Sequence, residues 1–138
     1  VTAFVLDASI ALAWCFVDEA TPASDALLDR LADEEAVAPA LWRLEVANAL
    51  AMAERRGRLS VAGLSRSVNL LRQLAIVIDH EASDQAFREI LDTARSVRLT
   101  AYDAAYLELA LRLGLPLASK DSKLRKASSR LGLVLLGV

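Results

Sequence analysis

The chain has 138 residues, the length of one domain, and a formal net charge of −2; it is 55% hydrophobic but only 5% aromatic, so its core must be aliphatic. A single cysteine, Cys15, excludes an internal disulfide framework, and the single histidine, His80, excludes paired-histidine zinc sites and any Cys/His zinc set. Five glycines, at 57, 63, 114, 132 and 137, spell neither a phosphate loop nor a dinucleotide fingerprint, and the longest uncharged stretch, residues 8–17, is too short to cross a bilayer.

In chain order, the first nearly all-apolar strand is expected at Ala3–Leu6, where Asp7 interrupts the opening run and argues against a signal peptide. A helix follows through Phe16, and a weaker strand at Ala36–Ala38. Pro39 is read as opening a long helix through Arg56, closed by Gly57. Ser60 caps a helix to about Gln73, and a strand falls at Ala75–Ile78. Glu81–Val97 is periodic, with Ala82, Ala86, Ile90 and Ala94 on one stripe. Thr100–Leu113 is a helix stopped by Gly114 and Pro116. Strand Leu115–Ala118, a short helix Ser122–Arg130 and a weaker strand Leu133–Leu136 complete the chain. Continuous apolar strands alternating with helices predict an α/β fold: one domain over 1–138, with a central parallel sheet of about five strands and helices on both faces.

Charge is unevenly spread. Residues 1–54 carry ten acids and two bases; residues 55–138 carry fourteen bases and eight acids. Such asymmetry fits an ordinary patchy surface, or a basic surface beside an acidic site of the kind a phosphodiester substrate needs.

Four carboxylates stand out. Asp7 ends the first strand, where an N-cap role competes with a place in the crevice that open α/β sheets form at their strand carboxyl ends. Between Leu44 and Ala53 the only polar residues are Glu45 and Asn48, so Glu45 sits either on an exposed strip or facing a cleft, partner or cation from a helix buried nearly all round. Asp103 forms a capping-box-like pair with Thr100, and Asp121 can cap the helix from Ser122. Tyr102 and Tyr106, one turn apart, are read as packing residues. Four acids focused on one cleft would repel unless a hard divalent cation neutralised them.

Quoted in order, Val5-Leu6-Asp7-Ala8-Ser9, Glu45-Val46-Ala47-Asn48-Ala49-Leu50, Tyr102-Asp103-Ala104-Ala105-Tyr106 and Ala118-Ser119-Lys120-Asp121 make the chain resemble the PIN-domain family, and within it the VapC-type toxins of bacterial toxin–antitoxin pairs. The resemblance covers essentially the whole chain. It implies a metal-dependent endoribonuclease whose metal-binding acids are Asp7, Glu45, Asp103 and Asp121, with Ser119 supporting the site and Ser9 at a position often Asn or Ser. Asp121 occupies the least constant of the four acid positions. An all-oxygen donor set favours Mg²⁺ or Mn²⁺. Hydrolysis by water activated on such an ion leaves 5′-phosphate and 3′-hydroxyl ends. The resemblance also implies RNA as substrate, a VapB-like antitoxin lying across the active-site groove, a homodimer, and a cytoplasmic location.

Lys120, Lys123, Arg125, Lys126 and Arg130 form one basic cluster, and Arg55, Arg56 and Arg58 another; each is either a solvated face or a hold on RNA phosphates. Val61, Leu64, Val68, Leu71 and Leu74 are candidates for the dimer face. Leu12, Trp14, Phe16 and Trp42 are candidates for receiving the antitoxin, with plain core packing as the alternative. Two rival functions remain. A receiver-type phosphoacceptor domain needs adjacent acids after the first strand, where Asp7 stands alone, and leaves only Asp79-His80 for the acceptor. A non-catalytic PIN-like scaffold has no need of four acids.

Overall fold

The computed structural model of the chain describes residues 1–81, 84 and 86–138. Five strands, β1 (Thr2–Leu6), β2 (Glu35–Pro39), β3 (Ile76–Asp79), β4 (Leu117–Ala118) and β5 (Leu135–Leu136), form one sheet in the order β3-β2-β1-β4-β5. Every pairing is parallel. Strands covered on both faces need apolar residues at every position. Phe4, Val5 and Leu6 of β1 and Ala36, Val37 and Ala38 of β2 are accordingly all buried.

The helices are α1 (Ala8–Cys15), α2 (Pro22–Arg30), α3 (Leu41–Arg55), α4 (Val61–Gln73), α5 (Leu91–Val97), α6 (Ala101–Leu113) and α7 (Ser122–Arg130). Their ends follow from local chemistry. The Ser60 hydroxyl accepts the Gly63 N–H to start α4, and Thr100 accepts the Asp103 N–H to start α6. Gly114 stops α6 in the left-handed conformation, φ 65°, which costs a residue without Cβ little.

Strand order sets the position of the site. From β1 the chain steps to β2 and β3 on one side, then returns to place β4 and β5 on the other. Right-handed crossovers carry those two halves over opposite faces, and the strand carboxyl ends part between β1 and β4 to leave a crevice. Leu6 pairs with Ala118, so Asp7 and Ser119 leave that junction side by side.

Several expectations are corrected. Pro39 does not open α3; it is the last residue of β2, in register with Asp79, where a missing N–H is tolerated at a strand end. Helix α3 begins two residues later, with no side-chain cap. Nor is α3 buried nearly all round: only Trp42, Val46, Leu50 and Ala53 are buried, and Leu44 is 76% exposed. The enclosed helix is α6, buried without interruption from Ala104 to Ala110. Its one charge in that run, Glu108, is matched by Arg112 one turn on, at 2.7 Å. The expected helix over 81–97 is not uniform, because Ala86–Ile90 is a π-helical turn and α5 starts only at Leu91. Ile90 and Ala94 of the expected stripe do pack inward, on Ala104 and Ala105; Ala82 lies outside the described residues.

Candidate active site

Asp7 and Ser119 form the floor of the crevice. Ser119 is fully buried; its hydroxyl donates to Asp7 Oδ2 at 2.8 Å and accepts the backbone N–H of Asp121 at 3.0 Å. From the other side the Ser9 hydroxyl donates to the same Asp7 oxygen at 2.6 Å and accepts the Lys120 N–H at 2.9 Å. Two serines thus tie the end of β1 to the end of β4 through one carboxylate oxygen. Asp7 Oδ1 accepts no hydrogen bond from the described residues.

The other three acids reach this floor from separate helices. Glu45 projects from α3, half-buried, and its Oε1 accepts a 2.5 Å hydrogen bond from the phenol of Tyr106, a fully buried residue of α6. Asp103 lies in the first turn of α6, its N–H on the Thr100 hydroxyl at 3.2 Å. Asp121 caps α7, its Oδ2 accepting the Leu124 N–H at 2.8 Å. The capping role anticipated for Asp121 is therefore real, and it occupies one oxygen only. Asp7 also caps α1, through a longer 3.4 Å contact from the Ser9 N–H.

The charges of the four acids act on one another in pairs, Asp7 with Glu45, Asp103 and Asp121, and Asp103 with Glu45 and Asp121. Burial raises the Asp7 pKa above the usual carboxylate range against the pull of its two serines, and the charge of Asp121 raises it further. Burial likewise raises Glu45, opposed by the Tyr106 hydrogen bond and reinforced by Asp7 and Asp103. Asp103 is raised by burial, then by Asp121 and Asp7, with the Thr100 hydrogen bond and the Lys123 charge pulling the other way. Every ion pair among the described residues lies elsewhere, and Lys123 acts on Asp103 only from a distance.

The donor chemistry fits a hard divalent cation: oxygens only, several of them carboxylate, mutually repelling and held in no ion pair among the described residues. Among the described residues no three Asp, Glu, His or Cys side chains are already gathered into a closed metal-binding cluster. Like charges have no cause to draw closer until a cation lies between them.

Two of the five bases in the first cluster are used by the fold. Lys120 Nζ donates to the Glu19 carbonyl at 2.6 Å, and the Arg125 guanidinium bridges the Ser119 and Leu136 carbonyls at 2.8 and 2.9 Å. Lys123 and Lys126 are exposed. In the second cluster Arg58 is tied to Asp18 and Glu19 and stacks on Phe16, while Arg55 and Arg56 face solvent. The apolar candidates separate too: Phe16 and Trp42 are core residues, and Trp14 donates its indole N–H to the Ser24 carbonyl. The sequence marks Tyr106 only as a packing residue. Its hydroxyl is the missed polar function, and a buried phenol calls for a partner. Tyr102 does not pack; it is largely exposed.

The PIN domain family model matches residues 4–129, and the chain belongs to this family. PIN domains are generally nucleases and generally use divalent metal ions. Two solved structures share the fold. PAE2754 from Pyrobaculum aerophilum is 23% identical with a TM-score of 0.70, over 97% of this chain and 89% of that one. FitAcB from Neisseria gonorrhoeae is 17% identical with a TM-score of 0.60, over 96% and 95%. No curated protein matches the chain. Among the described residues no helix is long and apolar enough to cross a membrane.

Proposed function

We propose that residues 1–138 act as one PIN domain with Mg²⁺- or Mn²⁺-dependent endoribonuclease activity, the VapC-type toxin of a toxin–antitoxin pair in the cytoplasm. The observation that carries this reading is the convergence of Asp7, Glu45, Asp103 and Asp121 from four separate segments, with no Lys or Arg paired to any of them. These four would hold the metal. When bound, a divalent cation supplies a Lewis acid for the phosphoryl oxygens and a water made nucleophilic near neutral pH.

The chain's own residues do the rest. Ser9 and Ser119 hold Asp7 through one oxygen and leave the other available to a cation. Tyr106 holds Glu45 and favours its ionised form. Lys123 and Lys126, unlike Lys120 and Arg125, are free to meet RNA phosphates. An apolar groove of about 520 Å³ between α3 and α4, walled by Trp42, Val46, Leu50, Val68 and Leu71, supports a protein partner. We assign α4 to a second copy of the chain and the crevice to an antitoxin segment lying across it.

The test is incubation with total cellular RNA, with and without EDTA, and mapping of the fragment ends. Mg²⁺-dependent cleavage leaving 5′-phosphates is expected. Cleavage that persists in EDTA, or the absence of cleavage with intact fold, overturns the reading. A chain that stays monomeric by light scattering at high micromolar concentration removes the dimer.

A further inference from the structure

Tyr102 immediately precedes Asp103 in the first turn of α6, yet its side chain is 68% exposed on a helix that is otherwise buried from Ala104 to Ala110. Its position follows from helix geometry. Tyr102 and Tyr106 are at i and i+4 and share a face. On that face the Tyr106 hydroxyl reaches Glu45 of α3. Tyr102 lies one turn closer to the helix start, and its Cα–Cβ bond tilts the same way. Tyr102 therefore lies one turn from the Tyr106–Glu45 contact and next to Asp103, on the exposed start of α6. On α3 the residue preceding Glu45, Leu44, is also exposed. Helices α3 and α6 thus each present a large side chain to solvent beside the acid they carry.

Four carboxylates repel a polyanion, so binding energy must come from groups around them. Lys123, whose charge reaches Asp103, is suited to a phosphate. A tyrosine ring is suited to the face of a base. We propose that Tyr102 is a stacking platform for the nucleobase next to the phosphate that the crevice would receive. This inference rests on the nucleic-acid reading of the site. Tyr102 touches the substrate base and positions the strand; it takes no part in proton transfer.

The experiment compares the full chain with Tyr102→Ala, Tyr102→Phe, Tyr102→Trp and, at the far end of α6, Leu113→Ala. Cleavage of a short single-stranded oligoribonucleotide is measured as KM and kcat, beside a hairpin duplex of the same composition. Binding of the same strand is measured by fluorescence anisotropy in an Asp7→Asn background, and the Mg²⁺-induced rise in Tm reports on the acids. Loss of one base stack predicts a KM and a Kd weaker by about 5- to 150-fold in Tyr102→Ala. The Phe and Trp variants should keep single-strand affinity, Leu113→Ala should match the parent, and the Mg²⁺ response should be unchanged throughout. Tyr102→Ala binding the single strand within twofold of the parent overturns the proposal, as does failure of Phe to rescue, which would assign the effect to the hydroxyl. If the parent cleaves no RNA while Tyr102→Ala still loses single-strand binding, the nuclease reading falls and the platform stands. If the parent cleaves and Tyr102→Ala binds normally, the reverse holds.

Discussion

Replacing Tyr106 by Phe removes one oxygen and little else, because the ring is fully buried and the two side chains have the same shape. The lost interaction is a hydrogen bond to a carboxylate, a type worth about 1.5–3 kcal/mol. Glu45 is half-exposed and can recover a water, so the lower part of that range applies, about 1.5–2 kcal/mol. For a chain of this length that corresponds to a fall in Tm of roughly 5–7 °C. The cycle with Glu45→Gln separates charge from geometry. The amide oxygen of Gln still accepts from the phenol, but a neutral bond is worth only about 0.5–1.5 kcal/mol, so Tyr106→Phe should cost about 1 kcal/mol less in that background. Calorimetry on the four metal-free proteins at pH 7 reads both quantities. Burial holds the Glu45 pKa above its ordinary 4.5, and the Tyr106 bond opposes this, so Tyr106→Phe moves it higher still. An acid raised on folding binds protons more readily folded than unfolded. Its charge is therefore destabilising at neutral pH, and the penalty is relieved as pH falls through the raised value. Tyr106→Phe should accordingly regain more stability than the parent between pH 7 and 5. Additivity of the two substitutions to within about 0.5 kcal/mol would refute the reasoning, since it would mean that the phenol does not distinguish a charged Glu45 from a neutral one.

Asp7→Asn or Asp103→Asn should leave the metal-free Tm unchanged or raised, since each removes a like charge whose pKa the crevice elevates, and should abolish both the Mg²⁺-induced Tm rise and RNA cleavage. If the acids served only as caps, the Mg²⁺ response would persist, because Asn caps as well as Asp. Lys123→Ala with Lys126→Ala should weaken binding of single-stranded RNA and flatten its log–log salt slope by about 1.4, the value for two lost phosphate contacts. An unchanged slope in filter binding would mark them as a solvated face. Arg125→Ala, by contrast, should lower Tm, because its guanidinium ties β4 to β5. Arg112→Ala strips the buried Glu108 and the partly buried Asp79 of their counter-charge, and urea denaturation should show a loss of about 2–4 kcal/mol, reduced for the exposure of Arg112 itself. Glu108→Gln should recover part of it.

Helix ends were legible in the sequence because their determinants lie within four residues of one another. Ser60, Thr100 and Asp121 cap the helices they were expected to cap, and Gly57 and Gly114 take the positive φ that follows a helix end. The alternation of apolar strands with helices was enough for a parallel α/β sheet, and the four motif segments were enough for the family. What a side chain faces is set by segments far away in the chain, and local pattern does not carry it. Helices α3 and α6 are both Ala- and Leu-rich, yet only α6 is enclosed, because it packs across β1, β2 and β4. Pro39 looked like a helix start because its fixed φ suits one; pairing with β3 kept it in the sheet. Lys120 and Arg125 belong to a basic run by composition, but carbonyls supplied by Glu19 and Leu136 decide where their charges rest. The acids show the division most clearly. Each was visible singly, three of them with a capping role, while Tyr106 meets Glu45 across 61 positions of chain, a contact that exists only once the sheet has brought α3 and α6 to the same edge.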